Sequence, residues 1–343
     1  MATALTTQVC RTLGIATPII QAPIGSATTA ELAAAVSRAG GLGTLALTWD
    51  TPEEATRRIR DTRRLTDRPF GANLVLDFPV DHVLTTCLDE GVPIVSTFWG
   101  DPASVNERVH AAGALHLHTV GSAGEARRAV DAGVDVVVAQ GWEAGGHVRG
   151  QAATMALVPA VVDAVYPVPV IAAGGIGDGR GLAAALALGA QAGWVGTRFL
   201  TAREANTHET YRAAVLRATE ADTVYTRCFD GGWPDAPHRA LRSPTVTAWE
   251  RAGRPPSPHR PGEGEVVGTT SDDRSHLRYD DMIPTADATG DLEAMALYAG
   301  QSAGLVTRPA PAVEIVRALA EQAAALLGGE LPRLCHEDRS TTN

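Results

Sequence analysis

VDVVVAQGWEAGGHVRG, residues 134–150, contains a predicted strand followed by a predicted ligand loop. The first part, 134–140, is mostly apolar, which is typical of a strand covered on both faces. Gly145 and Gly146 then indicate a backbone that turns sharply or lies close to a flat ligand. His147 follows, with a side chain that can transfer a proton near neutral pH.

Strand-like and helix-like segments alternate on both sides of this stretch. The predicted strands are 17–24, 42–47, 70–76, 93–99, 114–120, 134–140, 168–175 and 192–199. The predicted helices are 28–41, 52–64, 80–90, 102–112, 122–133, 154–165, 178–189 and 203–218. Eight such units in about 220 residues fit a closed barrel of parallel strands better than an open doubly wound sheet. The predicted fold class is therefore α/β, a (β/α)8 TIM barrel.

This alternation ends near residue 221. From 226 to 284 the sequence is rich in proline, tryptophan and arginine, which fits either a disordered linker or an ordered insertion. Trp233, Trp249 and Tyr279 favour the ordered alternative because large aromatic side chains act as packing anchors. Long segments inside compact enzymes are commonly lids or binding loops.

The domain prediction follows from that break. Residues 1–221 and 285–343 are predicted to form the barrel, and 222–284 an inserted substrate or lid segment. Helical patterns at 290–300 and 311–327 are expected to pack back on the barrel.

Composition excludes several classes of protein. The formal net charge of the 343 residues is −10, which argues against a general nucleic-acid surface. The apolar runs are strand-sized or interrupted by glycine and proline, so no membrane span is expected. The first residues show no secretion-signal pattern, and a cytoplasmic location is expected.

The reactive side chains that the sequence contains exclude some kinds of catalysis. All 29 basic residues are arginine, so no lysine can form a Schiff base with a substrate or cofactor. The cysteines form no CxxC pair, and neither a disulfide framework nor a metal site is expected. We predict four unpaired thiols, at Cys10, Cys87, Cys228 and Cys335.

Two glycine-containing loops follow the seventh and eighth predicted strands. In barrels of this class, phosphates commonly bind at these two loops, where backbone N–H groups and a helix N-terminus meet the anion. The GxGxG spacing within 172–181 is by itself a weak dinucleotide signal. The residues expected to surround a phosphate are Gly174, Gly175, Gly196 and Thr197.

Polar residues end several other strands. Gln21 and Pro23 end the first, Asn73 the third and Gln140 the sixth. A side-chain amide offers a donor and an acceptor together, which the pyrimidine edge of a flavin requires. An isolated amide is more often a turn or core hydrogen-bonder, but several at one barrel mouth favour a ligand.

With these motifs, the chain resembles the flavin-dependent nitronate monooxygenases, formerly called 2-nitropropane dioxygenases. The resemblance covers most of the chain, and AQGWEAGGH is its most specific part. It is carried by the segments 19–45, 71–76, 139–150, 170–190, 195–200 and 298–306.

The resemblance implies a barrel with a smaller substrate domain inserted after the eighth strand, and non-covalently bound FMN. It also implies that His147 is the catalytic histidine. The flavin contacts that it implies are Asn73, Gln140, Gly145, Gly175, Trp194, Val195, Gly196 and Thr197. Together with Gln21, Ala22, Pro23 and Gly174, these residues form the predicted cofactor site.

The activity implied is FMN-dependent oxidation of alkyl nitronates with O2 to a carbonyl compound and nitrite. His147 would deprotonate a nitroalkane or orient the bound anion, because the pKa of imidazole lies near neutrality. The expected partners are this small substrate and O2, with a homo-oligomer as a further expectation. His116 and His118 lie on the strand at 114–120; we expect only one of them to point inward, with His118 as the weaker functional candidate.

Four arginines of the insertion are candidates for binding a substrate carboxylate or phosphate, although most of them are expected to be solvated surface charge. They are Arg227, Arg239, Arg242 and Arg278.

Other functions remain open at this level. An FMN-dependent enoyl-acyl-carrier-protein reductase or an NAD(P)H:quinone reductase fits the same scaffold, because fold does not fix function. Net acidity mildly disfavours docking to an acidic carrier protein. A flavin-binding barrel without turnover is the non-enzymatic alternative, in which the histidine at the mouth would have little purpose. The phosphate loops also fit an inosine-monophosphate-dehydrogenase-like enzyme, but no cysteine lies in a suitable strand-end loop.

Overall fold

The structure, a computed structural model, describes residues 5–330. The strands of its first part are β1 Ile19–Gln21, β2 Gly43–Ala46, β3 Phe70–Val75, β4 Ile94–Phe98, β5 Leu115–Val120, β6 Val136–Gln140, β7 Gly146–His147, β8 Val170–Ala173 and β9 Ala192–Val195. The helices are α1 Gln8–Leu13, α2 Ala30–Arg38, α3 Pro52–Leu65, α4 Asp81–Asp89, α5 Ala103–Ala111, α6 Ala123–Asp131, α7 Thr154–Val165, α8 Gly179–Ala187, α9 Glu209–Arg217, α10 Pro244–Arg251 and α11 Ala312–Ala325.

Eight parallel strands form the central sheet. Their order is β1-β9-β8-β6-β5-β4-β3-β2, and a parallel bridge between Ile20 and Leu42 joins the two ends. The predicted (β/α)8 barrel is therefore confirmed. Local sequence explains the alternation, since Thr29 caps α2, Ser122 caps α6, and Thr51 forms a capping box with Glu54 at the start of α3.

The helix that completes the outer ring differs from the one expected after the eighth strand. α9 covers only part of the predicted helix 203–218 and packs on short 3-10 turns. The ring is completed by α11, which packs on both α8 and α2, as the pattern at 311–327 indicated. The prediction of a helix at 290–300 was wrong, because this segment forms a short strand and a 3-10 turn.

The helix α1 packs against side chains of the barrel interior. The contacts join its residues Val9, Cys10 and Leu13 to interior residues such as Leu117 and Val138. This helix was not predicted from the sequence. α1 therefore covers the end opposite the strands' carboxyl termini, which is the end where barrels of this class do not bind their ligands.

The second part of the chain adds two small sheets. Their strands are β10 Thr223–Thr226, β11 His238–Leu241, β12 Val266–Thr269, β13 Ser275–Leu277 and β14 Thr289–Gly290. β11 pairs with both β10 and β7, so the insertion joins the loop that follows β6. Trp233 and Tyr279 are buried. The assignment of 222–284 to a separate substrate or lid segment stays a prediction.

Cys10, Cys87 and Cys228 are buried free thiols, and Cys335 lies outside the described residues. Burial raises the pKa of the Cys87 and Cys228 thiols to about 12. No helix within residues 5–330 has the length and apolar character needed to cross a membrane. The same residues contain no group of three or more His, Cys, Asp or Glu side chains arranged to hold a metal ion.

Candidate functional site

A cavity of about 1040 Å³ opens at the carboxyl ends of the barrel strands. The predicted site residues that line it are Ala22, Pro23, Asn73, Gln140, Gly145, His147, Gly174, Gly175, Trp194, Gly196 and Thr197. Gln21 and Val195 do not line it. The Gln21 side chain is fully buried and accepts from the Thr44 amide at 3.0 Å, and Val195 packs in the core between sheet and helices.

Successive glycines shape one wall. Gly174 and Gly175 follow β8 with φ of +97° and +75°, a backbone region that L side chains rarely adopt. A Cβ on Gly175 would meet no atom within 4 Å, so the backbone here faces open space. Bare backbone of this kind lets a flat or phosphorylated ligand approach N–H groups closely.

A second close approach joins the loop after β6 to the segment near residue 300. A Cβ on Gly145 would lie 2.4 Å from the Gly300 amide nitrogen. The Gly300 N–H donates to Thr197 Oγ1 at 2.9 Å. Three segments that are distant in sequence therefore meet at the cavity wall.

His147 lies where the barrel and the insertion meet. Its strand, β7, pairs with β11, with His147 opposite His238. The Gln140 side chain fixes the loop from the barrel side by donating from Nε2 to the His147 carbonyl at 3.0 Å. Burial, and then the neighbouring His238, hold the His147 pKa well below its ordinary value. The imidazole is therefore neutral at pH 7 and can accept a proton.

His238 has a different environment. Its Nδ1 donates to the Ala236 carbonyl at 3.0 Å, and its Nε2 accepts from the Phe229 amide at 3.3 Å. Burial lowers its pKa to about 4. With both ring nitrogens occupied, His238 supports the fold and leaves His147 as the reactive imidazole of the pair.

Three buried polar atoms of the cavity lining have no hydrogen-bond partner within residues 5–330. They are Gln140 Oε1, His147 Nε2 and Tyr298 Oη. Each such atom costs about 1–3 kcal/mol if it stays unpaired, so three on one cavity indicate a polar ligand. An amide acceptor beside glycine backbone fits the heteroaromatic ring and phosphate of a flavin nucleotide.

Aromatic side chains form another part of the cavity lining. The His147 ring stacks on Trp233 with centroids 4.2 Å apart and planes inclined at 31°, and lies 5.4 Å from the Tyr298 ring. Trp49 and Phe78 extend the wall toward solvent. A site with one polar glycine wall and one aromatic wall suits a planar cofactor with an apolar substrate beside it.

Glu143 and Arg239 hold the ligand loop without reaching the cavity. The Glu143 carboxylate accepts from the Thr154 amide at 2.9 Å and from its hydroxyl at 3.1 Å, which caps α7. Arg239 is buried, stacks 4.5 Å from the Trp142 ring and donates from Nε and Nη2 to the Trp142 carbonyl.

The four insertion arginines were candidates for a substrate contact, with surface charge expected for most of them. None of Arg227, Arg239, Arg242 and Arg278 lines the cavity. Arg227 is exposed, Arg242 pairs with Glu250, and Arg278 pairs with Glu265. The arginines that do line it are Arg57, Arg58 and Arg274.

The expectation that only one of His116 and His118 points inward was wrong. Residues two apart on a strand share a face, and both rings meet the Thr97 hydroxyl at 2.8 Å. His116 also contacts Asn106 on α5, so this face lies toward the helices. Burial lowers the pKa to about 3 for His116 and about 4 for His118, and neither lines the cavity.

The cavity-lining roles of four aromatic residues were not predicted from the sequence, although Trp233 was expected to pack. The other three are Tyr298, in the segment 298–306 that carries the family resemblance, and Trp49 and Phe78, which each follow a predicted strand closely. Their position after the strand ends was a usable signal, because those ends form the mouth of the barrel.

Comparisons with known proteins agree with this geometry. The family model described as Nitronate monooxygenase matches residues 6–82 and 78–322. The nitronate monooxygenase of Pseudomonas aeruginosa is 34% identical over 366 aligned residues, which cover 93% of this chain and 99% of that protein.

Two solved structures share the fold over nearly the whole chain. A nitroalkane oxidase from Streptomyces ansochromogenes is 33% identical with a TM-score of 0.78, covering 93% of this chain and 99% of the other. FabK from Thermotoga maritima is 32% identical with a TM-score of 0.79, covering 95% and 99%. The chain therefore belongs to the nitronate monooxygenase family of flavin-using oxidoreductases.

Proposed function

We propose that the protein is a nitronate monooxygenase that uses FMN and O2 to convert alkyl nitronates to a carbonyl compound and nitrite. The observation that carries the proposal is the buried, unpartnered Nε2 of His147 on a cavity with glycine backbone on one wall and aromatic rings on another. The family match supports the reaction class.

The residues proposed to hold FMN are the predicted ones that line the cavity. Gln140 Oε1 offers an unpaired acceptor for a ring N–H, and the backbone at Gly174, Gly175 and Gly196 is open to the phosphate. When bound, the flavin supplies the redox chemistry, and the protein supplies orientation and the exclusion of competing reactions. Heat release of the bound flavin followed by mass measurement distinguishes FMN from FAD.

His147 is the proposed base. A neutral imidazole can take the proton from the carbon that bears the nitro group, which produces an imidazolium beside a nitronate anion. Burial disfavours the imidazolium alone, but the adjacent anion forms in the same step and offsets that cost. A substrate added already as the nitronate does not need this transfer.

The first experiment is anaerobic mixing of the purified flavoprotein with ethyl nitronate, following the flavin absorbance. Bleaching, with nitrite produced once air is admitted, supports the proposal. Absence of any reaction with nitronates would reject it.

A variant tests the base. We expect His147→Ala to lower turnover of neutral nitroethane by about 10²–10⁴-fold, the usual contribution of a general base. Ethyl nitronate should be affected much less, and His82→Ala, an exposed histidine on α4, serves as the control. If His147→Ala turns over nitroethane at the wild-type rate, His147 is not the catalytic base.

The second candidate is an FMN-dependent NAD(P)H reductase acting on an enoyl-acyl carrier protein or a quinone. The similarity to FabK favours it. Anaerobic NADPH or NADH in place of the nitronate discriminates between the two, because rapid bleaching by the nicotinamide alone indicates the reductase. A cytoplasmic location, a homo-oligomer and the substrate role of 222–284 are further parts of the proposal.

A further inference from the structure

Three consecutive barrel strands are followed by aromatic residues at the mouth of the cavity. Trp49 follows β2, Phe78 follows β3, and Phe98 and Trp99 end β4. Trp233 of the insertion packs against this group, with its ring 5.2 Å from Phe78 and 4.8 Å from Trp99. The residues come from four separate segments, so only the fold brings them together.

The rings form a continuous line from solvent to His147. Trp49 is 57% exposed and lies 5.3 Å from Phe78, whereas Trp233 is only 5% exposed and stacks on His147. We call Trp49, Phe78 and Trp233 the aromatic track. All three line the same cavity as His147.

The track is held in place by edge-to-face contacts and by polar anchoring at its inner end. Its ring planes are inclined at 68° and 73°, an arrangement that aromatic pairs prefer. Trp233 Nε1 also donates to Asp77 Oδ2 at 3.4 Å. An ordered apolar surface of this kind can bind an apolar group without first losing much side-chain entropy.

We propose that the substrate carries an extended apolar group, a long alkyl chain or an aromatic body, which lies along Trp49, Phe78 and Trp233 while its reacting carbon lies at His147. This inference rests on the proposed function for the reacting carbon, but the binding of the apolar group does not depend on it. A short nitroalkane would reach His147 and leave Trp49 without a contact. Trp49 is therefore a determinant of chain-length specificity.

The kinetic test uses primary alkyl nitronates from two to eight carbons with the flavin-loaded protein. Each methylene placed on the track should raise kcat/KM by up to about fourfold, the equivalent of ~0.8 kcal/mol per buried CH2. We expect Trp49→Ala to lower the ratio of kcat/KM for octyl over ethyl nitronate by at least tenfold, and Trp49→Phe to restore part of it. Met155→Ala is the control, since Met155 is 68% exposed on α7 and lies outside the cavity.

The binding test uses unreactive primary alcohols from butanol to octanol, followed by tryptophan fluorescence and thermal shift. Their Kd should fall with each methylene in the wild type and in Met155→Ala, and should fall less steeply in Trp49→Ala, where the methylenes beyond Phe78 find no ring. If alcohols bind this way but no nitronate is oxidised, the proposed function fails and the track stands. If the wild type shows no chain-length dependence in either test, or if Trp49→Ala keeps the full dependence, the track is overturned.

Discussion

Gly145 and Gly300 pack backbone against backbone, closely enough that a Cβ on either would overlap the other's segment. The contact joins the loop that carries His147 to the segment that carries Tyr298, and the rings of His147 and Tyr298 lie 5.4 Å apart. The gap between these two backbones has room only for the hydrogen atoms of glycine. Glycine is therefore required because the backbones approach closely, and not because the backbone is left-handed.

Gly145→Ala should therefore destabilise the protein and loosen the flavin. The methyl group would lie 2.4 Å from the Gly300 nitrogen, and overpacking of this kind costs about 1–3 kcal/mol. Urea unfolding and the Kd of added FMN measure the two effects. Gly124→Ala in α6 is the matched control: its Cβ would come no closer than 3.8 Å to any atom, and alanine in place of a helical glycine should stabilise by about 0.5–1 kcal/mol. Equal effects of the two substitutions would contradict the packing argument.

Arg239 should matter for stability although it does not touch the cavity. Arg239→Met removes both donors to the Trp142 carbonyl and leaves a part-buried acceptor unpaired, at a cost of about 1–3 kcal/mol. The neighbouring Arg242→Met breaks only an exposed ion pair with Glu250 and should cost below about 1 kcal/mol. Denaturant midpoints of the two variants give the comparison, and a larger loss for Arg242→Met would refute it.

Ionisation of Asp281 lowers the free energy of unfolding as the pH rises, whereas a carboxylate in an ion pair raises it. Burial, and then the neighbouring Asp280, raise its pKa from 3.8 to about 6. Between about pH 4 and pH 6 the folded protein therefore binds more protons at this group than the unfolded chain, and its contribution to stability falls as the pH rises.

Asp281→Asn should accordingly raise the free energy of unfolding by about 1–3 kcal/mol at pH 7 to 8, and the gain should disappear below about pH 4. Thermal unfolding at a series of pH values measures this. The exposed Asp67→Asn is the control and should change the melting temperature little at any pH. A stabilisation that does not vary between pH 4 and pH 8 would exclude ionisation of Asp281 as its source.

Glu143 lies in the most specific motif of the chain, yet we expect a structural role. Glu143→Gln removes the charge that caps the amino end of α7 and should cost about 0.5–1.5 kcal/mol in stability. Turnover per bound flavin should stay at the wild-type level. Unchanged stability together with lost turnover would instead make Glu143 part of the reaction.

The barrel can be predicted from the sequence because its signals are local. Apolar strands, capped helices and glycine stops repeat along the chain, and the ends of eight parallel strands must meet at one mouth. The strand ends therefore predict that Asn73, Gln140, His147, Gly175 and Thr197 lie around one cavity, as they do in the structure. The shared face of His116 and His118 was also readable from strand periodicity.

The partners of those residues can be identified only in the folded chain. The choice of α11 over α9 as the last ring helix, the pairing of His147 with β11, and the burial of Arg239 all join segments far apart in sequence. Such contacts depend on which surfaces remain to be covered once the barrel has closed, and no local pattern contains that information. For the same physical reason, the line of rings from Trp49 to His147 exists only in the folded chain, because each ring is contributed by a different loop.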